Sequence, residues 1–351
     1  MNYLIWCEDL ISLFEKKRMS KISTLDLITL LWDYKIKEKY TCSKEYDIVN
    51  EILKRKLRYS LWGGWGEVLI IVDSMYKKES PTYKLVVSNV KKSLRQTIRI
   101  TDFHTYDFVN GYIGNLHSLI VTQNLSLDDT DIVNTNLIIP LYKMIQDKRV
   151  FDFGFAHGLC GILWVLKEYE TIDKNIYIKR IIDLIIRYIY STCDFSFKHL
   201  ILCNLKEKNK NLLNHNINFS WCYGNLMLGK IINRMQFNQM IINQKDMIKN
   251  EFIIWSKDRK IITCHGLMGP LLFFASENIE SEYINFIENI GLKKIRRFFN
   301  QFPSQNLISD NNLNPYSEFD GTTATIMFLC FISKENQHVV KEYASLFGVK
   351  I

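Results

Sequence analysis

Six apolar stretches, each opened by glycine, recur along the chain and restrict what it can fold into. They are "GGWGEVLIIV" with Gly63 and Gly66, "GYIGNLHSLIV" with Gly111 and Gly114, and "HGLCGILWVL" with Gly158 and Gly161. Then come "YGNLMLGKII", where Gly224 keeps its place and Met227 replaces the second glycine, "HGLMGPLLFF" with Gly266 and Gly269, and "DGTTATIMFLCFI" with Gly321 and Ala324. Successive starts lie 48, 47, 66, 42 and 55 residues apart. A repeat of that length holds two helices and their loops.

Each stretch is apolar nearly all round, which suits a helix buried on every side. Amphipathic segments such as "SNVKKSLRQTIRI" and "YIKRIIDLIIRYIY" lie between them. In the second, Ile181, Ile182, Leu184, Ile185 and Ile189 recur at helical spacing, while Lys179, Arg180 and Arg187 can face water. Buried helices alternating with amphipathic ones predict an all-α fold: an α/α toroid, or double-layered helical barrel, with glycine-led inner helices and an amphipathic outer ring. A helical array whose glycines mark only turns is the plainer alternative. Asn- and Lys-rich loops such as "LKEKNKNLLNHNIN" interrupt the array, but no shift in composition divides it, so residues 1–351 read as a single domain.

Composition narrows the function. The longest apolar runs, "RIIDLIIRYIY" and "TATIMFLCFI", are too short or too charged to supply the roughly 18–20 residues of a membrane span. The start "MNYLIWCEDL" has neither a basic leader nor a cleavage site, so no secretory signal is read. Eight cysteines in 351 residues are too sparse for a disulfide scaffold and suggest a reduced, cytoplasmic protein. A net charge of +8 favours an acidic partner or a membrane surface. Basic runs interleaved with aromatics are absent, so nucleic acid is not expected as a partner.

The fourth and fifth stretches carry chemistry. "WCYG" puts Cys222 two residues before Gly224, and "TCHG" puts Cys264 and His265 directly before Gly266. Aligned on their glycines, the three side chains stand at the starts of neighbouring inner helices. Two thiolates and one imidazole leave a fourth tetrahedral position open, which is the catalytic pattern for zinc. Adjacent residues in mid-helix project about 100° apart and cannot share an ion; at an irregular helix entry beside glycine they can. Cys7, Cys42, Cys160, Cys193, Cys203 and Cys330 fall outside this pattern and read as inert core cysteines.

With "YDFVNGYIG", "GFAHGLCGI", "WCYG" and "CHGLMG" together, from about residue 60 to 330, the chain resembles the lanthionine synthetase C-like family, the lanthipeptide cyclases. The resemblance implies one zinc ion in the central cavity of a toroid. It implies intramolecular addition of peptide cysteines to dehydroalanine or dehydrobutyrine, giving the thioether rings of lantibiotics, an activity of the carbon–sulfur lyase class. The zinc ligands would be Cys222, Cys264 and His265, with His157 and Asp107 as acid/base candidates and Tyr223 beside the metal. From the residues alone, His157 could equally be a core histidine bonded to backbone, and Asp107 an N-cap.

The implied substrate is a dehydrated precursor peptide with its leader, and the implied partners are a dehydratase and an export transporter. The place of action would be the cytoplasm, with the inner face of the membrane as an option. Two departures stand out. Asn218 occupies the position, four residues before Cys222, where many cyclases carry arginine. Only 50 residues separate Asp107 from His157, so the small leader-binding insertion of the family is expected to be reduced or absent between 115 and 150. Two other readings compete. One is a zinc-dependent thiol-alkylating enzyme like a prenyltransferase, which would want a carboxylate ligand and a basic isoprenoid pocket. The other is a zinc-containing scaffold, catalytically altered, that binds the modified peptide or the dehydratase.

Overall fold

A computed structural model describes residues 23–37, 43–95, 105–147, 154–192, 219–222, 226–243, 245–257, 259, 261, 263–277, 281–301, 322–334, 336–349 and 351. Among them there is no β-strand; Arg58 and Gly64 form an isolated bridge. In chain order the helices are α1 (Thr24–Lys37), α2 (Ser43–Leu53), α3 (Trp65–Asp73), α4 (Pro81–Arg95), α5 (Tyr112–Val121) and α6 (Leu127–Val133). A π-helical turn, Asn134–Ile138, leads into α7 (Ile139–Gln146). Then follow α8 (Leu159–Glu170), α9 (Ile176–Thr192), α10 (Leu226–Asn243), α11 (Lys245–Ser256) and α12 (Met268–Ser276). The last three are α13 (Ser281–Gln301), α14 (Thr322–Ser333) and α15 (Gln337–Leu346). None of the described helices is both long and apolar enough to cross a membrane.

The helices pack as two compact units, one spanning Arg58–Trp255 and the other Met1–Leu57 with Ser256–Ile351. In the first, the glycine-led helices are neighbours in chain order: α3 lies against α5, α5 against α8, and α8 against α10. They are buried nearly all round, as their uninterrupted apolar sequence requires; every residue of α3 from Trp65 to Val72 is buried. The amphipathic helices cover them. On α4, Tyr83, Val86, Val90 and Leu94 face inward at helical spacing. On α9, Ile181, Ile182, Ile185 and Ile189 are buried, Leu184 is half-buried, and Lys179, Arg180 and Arg187 are exposed. In the second unit α1 packs on α2 and α14, α12 on α13 and α14, and α14 on α15. Lys35 of α1 pairs with Glu342 of α15.

The turns that open the inner helices are tied edge to edge by backbone hydrogen bonds. Trp62 N–H donates to Val109 O at 3.1 Å. Phe108 and Val109 N–H both donate to Ala156 O, at 3.1 and 3.2 Å. Phe155 and Ala156 N–H both donate to Cys222 O, at 2.8 and 3.3 Å. Beneath this relay Phe108, Phe155 and Trp221 touch, with centroids 4.9 to 6.1 Å apart. These three aromatics hold the same position, three residues before Gly111, Gly158 and Gly224.

In the second and third motifs the backbone comes too close to the second glycine for a side chain. A Cβ on Gly161 would sit 2.1 Å from Phe155 O and 2.8 Å from Phe108 Cβ; one on Gly114 would sit 2.0 Å from Phe108 O. Backbone cannot yield as a rotamer can. Gly161→Ala is therefore expected to cost about 1–3 kcal/mol of overpacking, against a gain in helix propensity of no more than about 1 kcal/mol. A lower urea midpoint would show it, and an unchanged or higher midpoint would refute the packing argument.

The first motif departs from the expected register by one residue. Gly64, not Gly63, is the N-cap of α3. Glu67, whose N–H reaches Leu61 O six residues back at 2.8 Å, then stands where Gly114 and Gly161 stand in their motifs. Its buried carboxylate accepts the Gly63 N–H at 2.8 Å, and Gly63 adopts φ 60°, a left-handed conformation that favours glycine.

Candidate metal centre

Cys222 and Cys264 each stand two residues before the glycine of their motif, and His265 stands one before. These are irregular turn positions rather than helix interior, so neighbouring side chains can be aimed together. Cys222 Sγ, Cys264 Sγ and a ring nitrogen of His265 all lie within 4.8 Å of one another. Around a tetrahedral zinc, with Zn–S about 2.3 Å and Zn–N about 2.0–2.1 Å, such atoms would be about 3.5–3.8 Å apart. The donor set therefore fits zinc in type. Both cysteines are buried and His265 is exposed.

Asp107 and His157 are joined directly. His157 Nδ1 lies 2.9 Å from Asp107 Oδ2, with the aspartate fully buried and the histidine 29% exposed. The other carboxylate oxygen accepts the N–H groups of Asn110 and Gly111, where the chain enters α5. Asp107 thus braces the turn that leads to Gly111, the N-cap of α5, and holds the imidazole at once. With Nδ1–H donated to the carboxylate, Nε2 is the nitrogen left to exchange protons with a substrate. His157 also follows directly on Phe155 and Ala156, whose amides are fixed to Cys222 O, so the histidine's turn is anchored to the backbone of a candidate ligand.

The structure brings together the three expected ligands, and it pairs the two expected acid/base residues. Tyr223 and Asn218 lie outside the described residues. Cys160 and Cys330 are buried in α8 and α14, as expected of core cysteines, and burial pushes the Cys160 thiol up, away from reactivity. Cys7, Cys42, Cys193 and Cys203 lie outside the described residues. The Asp107–His157 pairing and the tie from Ala156 to Cys222 were not foreseen; both reach across at least 50 residues, and only the second joins matching motif positions, two residues before Gly158 and Gly224.

The sequence profile described as "Lanthionine synthetase C-like protein" matches residues 28–344. The chain belongs to the lanthionine synthetase C-like family. At the level of fold, this LanC-like protein is similar to the solved structure of nisin cyclase, with a TM-score of 0.62 at 16% sequence identity, covering 99% of this chain and 98% of that one. A sequence search of curated proteins finds no match. The helices and the chain-long likeness bear out the α/α toroid expected from the glycine repeat.

Proposed function

We propose that this LanC-like protein is a zinc-dependent lanthipeptide cyclase, closing thioether rings in a dehydrated precursor peptide. The observation that carries the reading is the convergence of Cys222, Cys264 and His265 in a chain of this family. Zinc bound by these residues would supply an electrophilic centre that lowers the pKa of a coordinated thiol. In the reaction a peptide cysteine S–H adds across the Cα=Cβ bond of dehydroalanine or dehydrobutyrine. The S–Cβ bond forms, the thiol proton leaves, and the resulting enolate gains a proton at Cα. The ring is isomeric with its precursor, as in the reverse of a carbon–sulfur lyase step.

In this reading His157, with Nδ1–H held by buried Asp107, takes up a proton at Nε2 as the thiol proton is released and delivers it from Nε2 to the α-carbon, the Asp107 carboxylate stabilising the imidazolium in between. Tyr223 is assigned a supporting place next to Cys222 on the sequence alone. We read residues 1–351 as one catalytic domain with the leader-binding insertion reduced: α6, the π-helical turn and α7 occupy much of 115–150. The +8 charge would then help capture an acidic leader. A dehydratase and an exporter are the expected partners, in the cytoplasm.

Incubating the purified protein with a dehydrated precursor and counting remaining thiols tests the reading. Enzyme-dependent loss of thiols, at constant peptide mass, is expected. Binding of the peptide with no loss of thiols would instead favour the scaffold.

A further inference from the structure

The turn that carries Cys264 and His265 is gripped by a residue far away in the chain. Thr263 directly precedes Cys264 and is fully buried. Its Oγ1 lies 2.8 Å from the hydroxyl of Tyr343, on α15, 80 residues later and also fully buried. The Tyr343 ring is itself wedged, edge-on to Trp32 at 5.6 Å and against Phe347 at 5.0 Å. Two residues before Thr263, Ile261 O receives the hydroxyl of Thr325 from α14 at 3.5 Å.

The contrast with the earlier motifs gives this bond its meaning. Thr263 holds the position, three before the glycine, that Phe108, Phe155 and Trp221 hold in theirs. There, ring against ring supports the turn. Thr263 cannot do that, and a hydroxyl pair takes over at the turn that bears two of the three candidate ligands. A hydrogen bond fixes direction as well as distance, which suits a turn whose side chains must meet a metal in set geometry.

We propose that Tyr343 is a positioning residue for the metal centre: through Thr263 it holds the Cys264–His265 turn and so sets how tightly the metal is kept. The proposal rests on the zinc reading above. Loss of groups that orient metal ligands typically weakens metal binding about 10–100-fold.

The test is a zinc competition titration against a chromophoric chelator, with no peptide present, alongside urea unfolding of each zinc-free variant. Tyr343→Phe and Thr263→Val should each weaken zinc binding about 10–100-fold. The double variant should be no worse than the weaker single, because both remove one bond. Thr263→Ser, which keeps the hydroxyl, should bind zinc like the parent. Should Tyr343→Phe fail to fold, the comparison of Thr263→Val with Thr263→Ser decides. Parent-like zinc affinity in Thr263→Val, even with a lowered urea midpoint, would make the bond merely structural and overturn the proposal. A parent that binds no zinc would overturn the zinc reading itself, and this inference with it.

Discussion

Cys264→Ala is expected to strip zinc from the protein and slow ring closure by at least about 30-fold at pH 7. The variant keeps one thiol and one imidazole of the three converging donors, too few to hold the ion against competing water and buffer. The lower bound follows from the substrate. An unassisted thiol with pKa about 8.5 is only about 3% thiolate at pH 7. The residual rate should therefore rise about tenfold per pH unit up to roughly pH 8.5 and then level, while the parent's rate should rise less steeply. Elemental analysis and a pH–rate series read both effects. Cys160→Ala is the control, because that thiol is buried in α8, outside the ligand cluster, and should leave zinc content unchanged. Full zinc retention in Cys264→Ala, or equal loss in Cys160→Ala, would remove the basis for the assignment.

The ligands could be read from sequence because their information is local. Cys222, Cys264 and His265 each sit at a fixed offset from a motif glycine, and that offset is what the repeat turns into a shared location. The inner helices were legible for the same reason. A stretch like "VLIIV" has no polar face to offer to water, so it must be buried all round, and Val68–Val72 of α3 are. The register of α3 was not legible. Gly63, Gly64 and Gly66 offer three candidate caps, and the structure, with Gly64 as the N-cap, starts the motif one residue later. The π-helical turn before α7 was missed as well. Pro140 lacks the N–H that would complete the α-helical ladder there, and Ile139 N–H reaches back five residues to Asn134 O.

What stayed hidden is what depends on closure of the chain. Asp107 could be an N-cap or an acid/base residue on sequence grounds. In the structure it is not the N-cap, which is Gly111; one carboxylate oxygen braces the turn before α5 and the other binds His157. Nothing local to "YDFVNG" predicts a partner 50 residues away. The same holds for Thr263 and Tyr343. A threonine in an aromatic's position shows only that some other support is needed; which residue supplies it depends on how α15 returns to the turn.

The second large effect is expected at His157, and it differs in kind from that of Cys264. His157→Asn should keep the fold and the zinc, because the side chain is no ligand and is part-exposed. Removing a general acid typically costs about 10²–10⁴-fold. Free thiols also add slowly to dehydro residues without an enzyme, so the measured rate understates that loss at high pH. Configuration at the α-carbon is therefore the sharper readout. A proton delivered by a fixed imidazole arrives on one face of the enolate, whereas one taken from water arrives on either. Asp107→Asn supplies the companion experiment. Its neutral amide removes the negative charge that stabilises the imidazolium, so His157 becomes a far weaker acid at Nε2. Both variants should then make mixed configurations while binding zinc like the parent. Rings formed at the parent rate and with a single configuration in His157→Asn would make the Asp107–His157 pair a helix-entry clamp, and the proton donor would have to be sought at Tyr223 or in bound water.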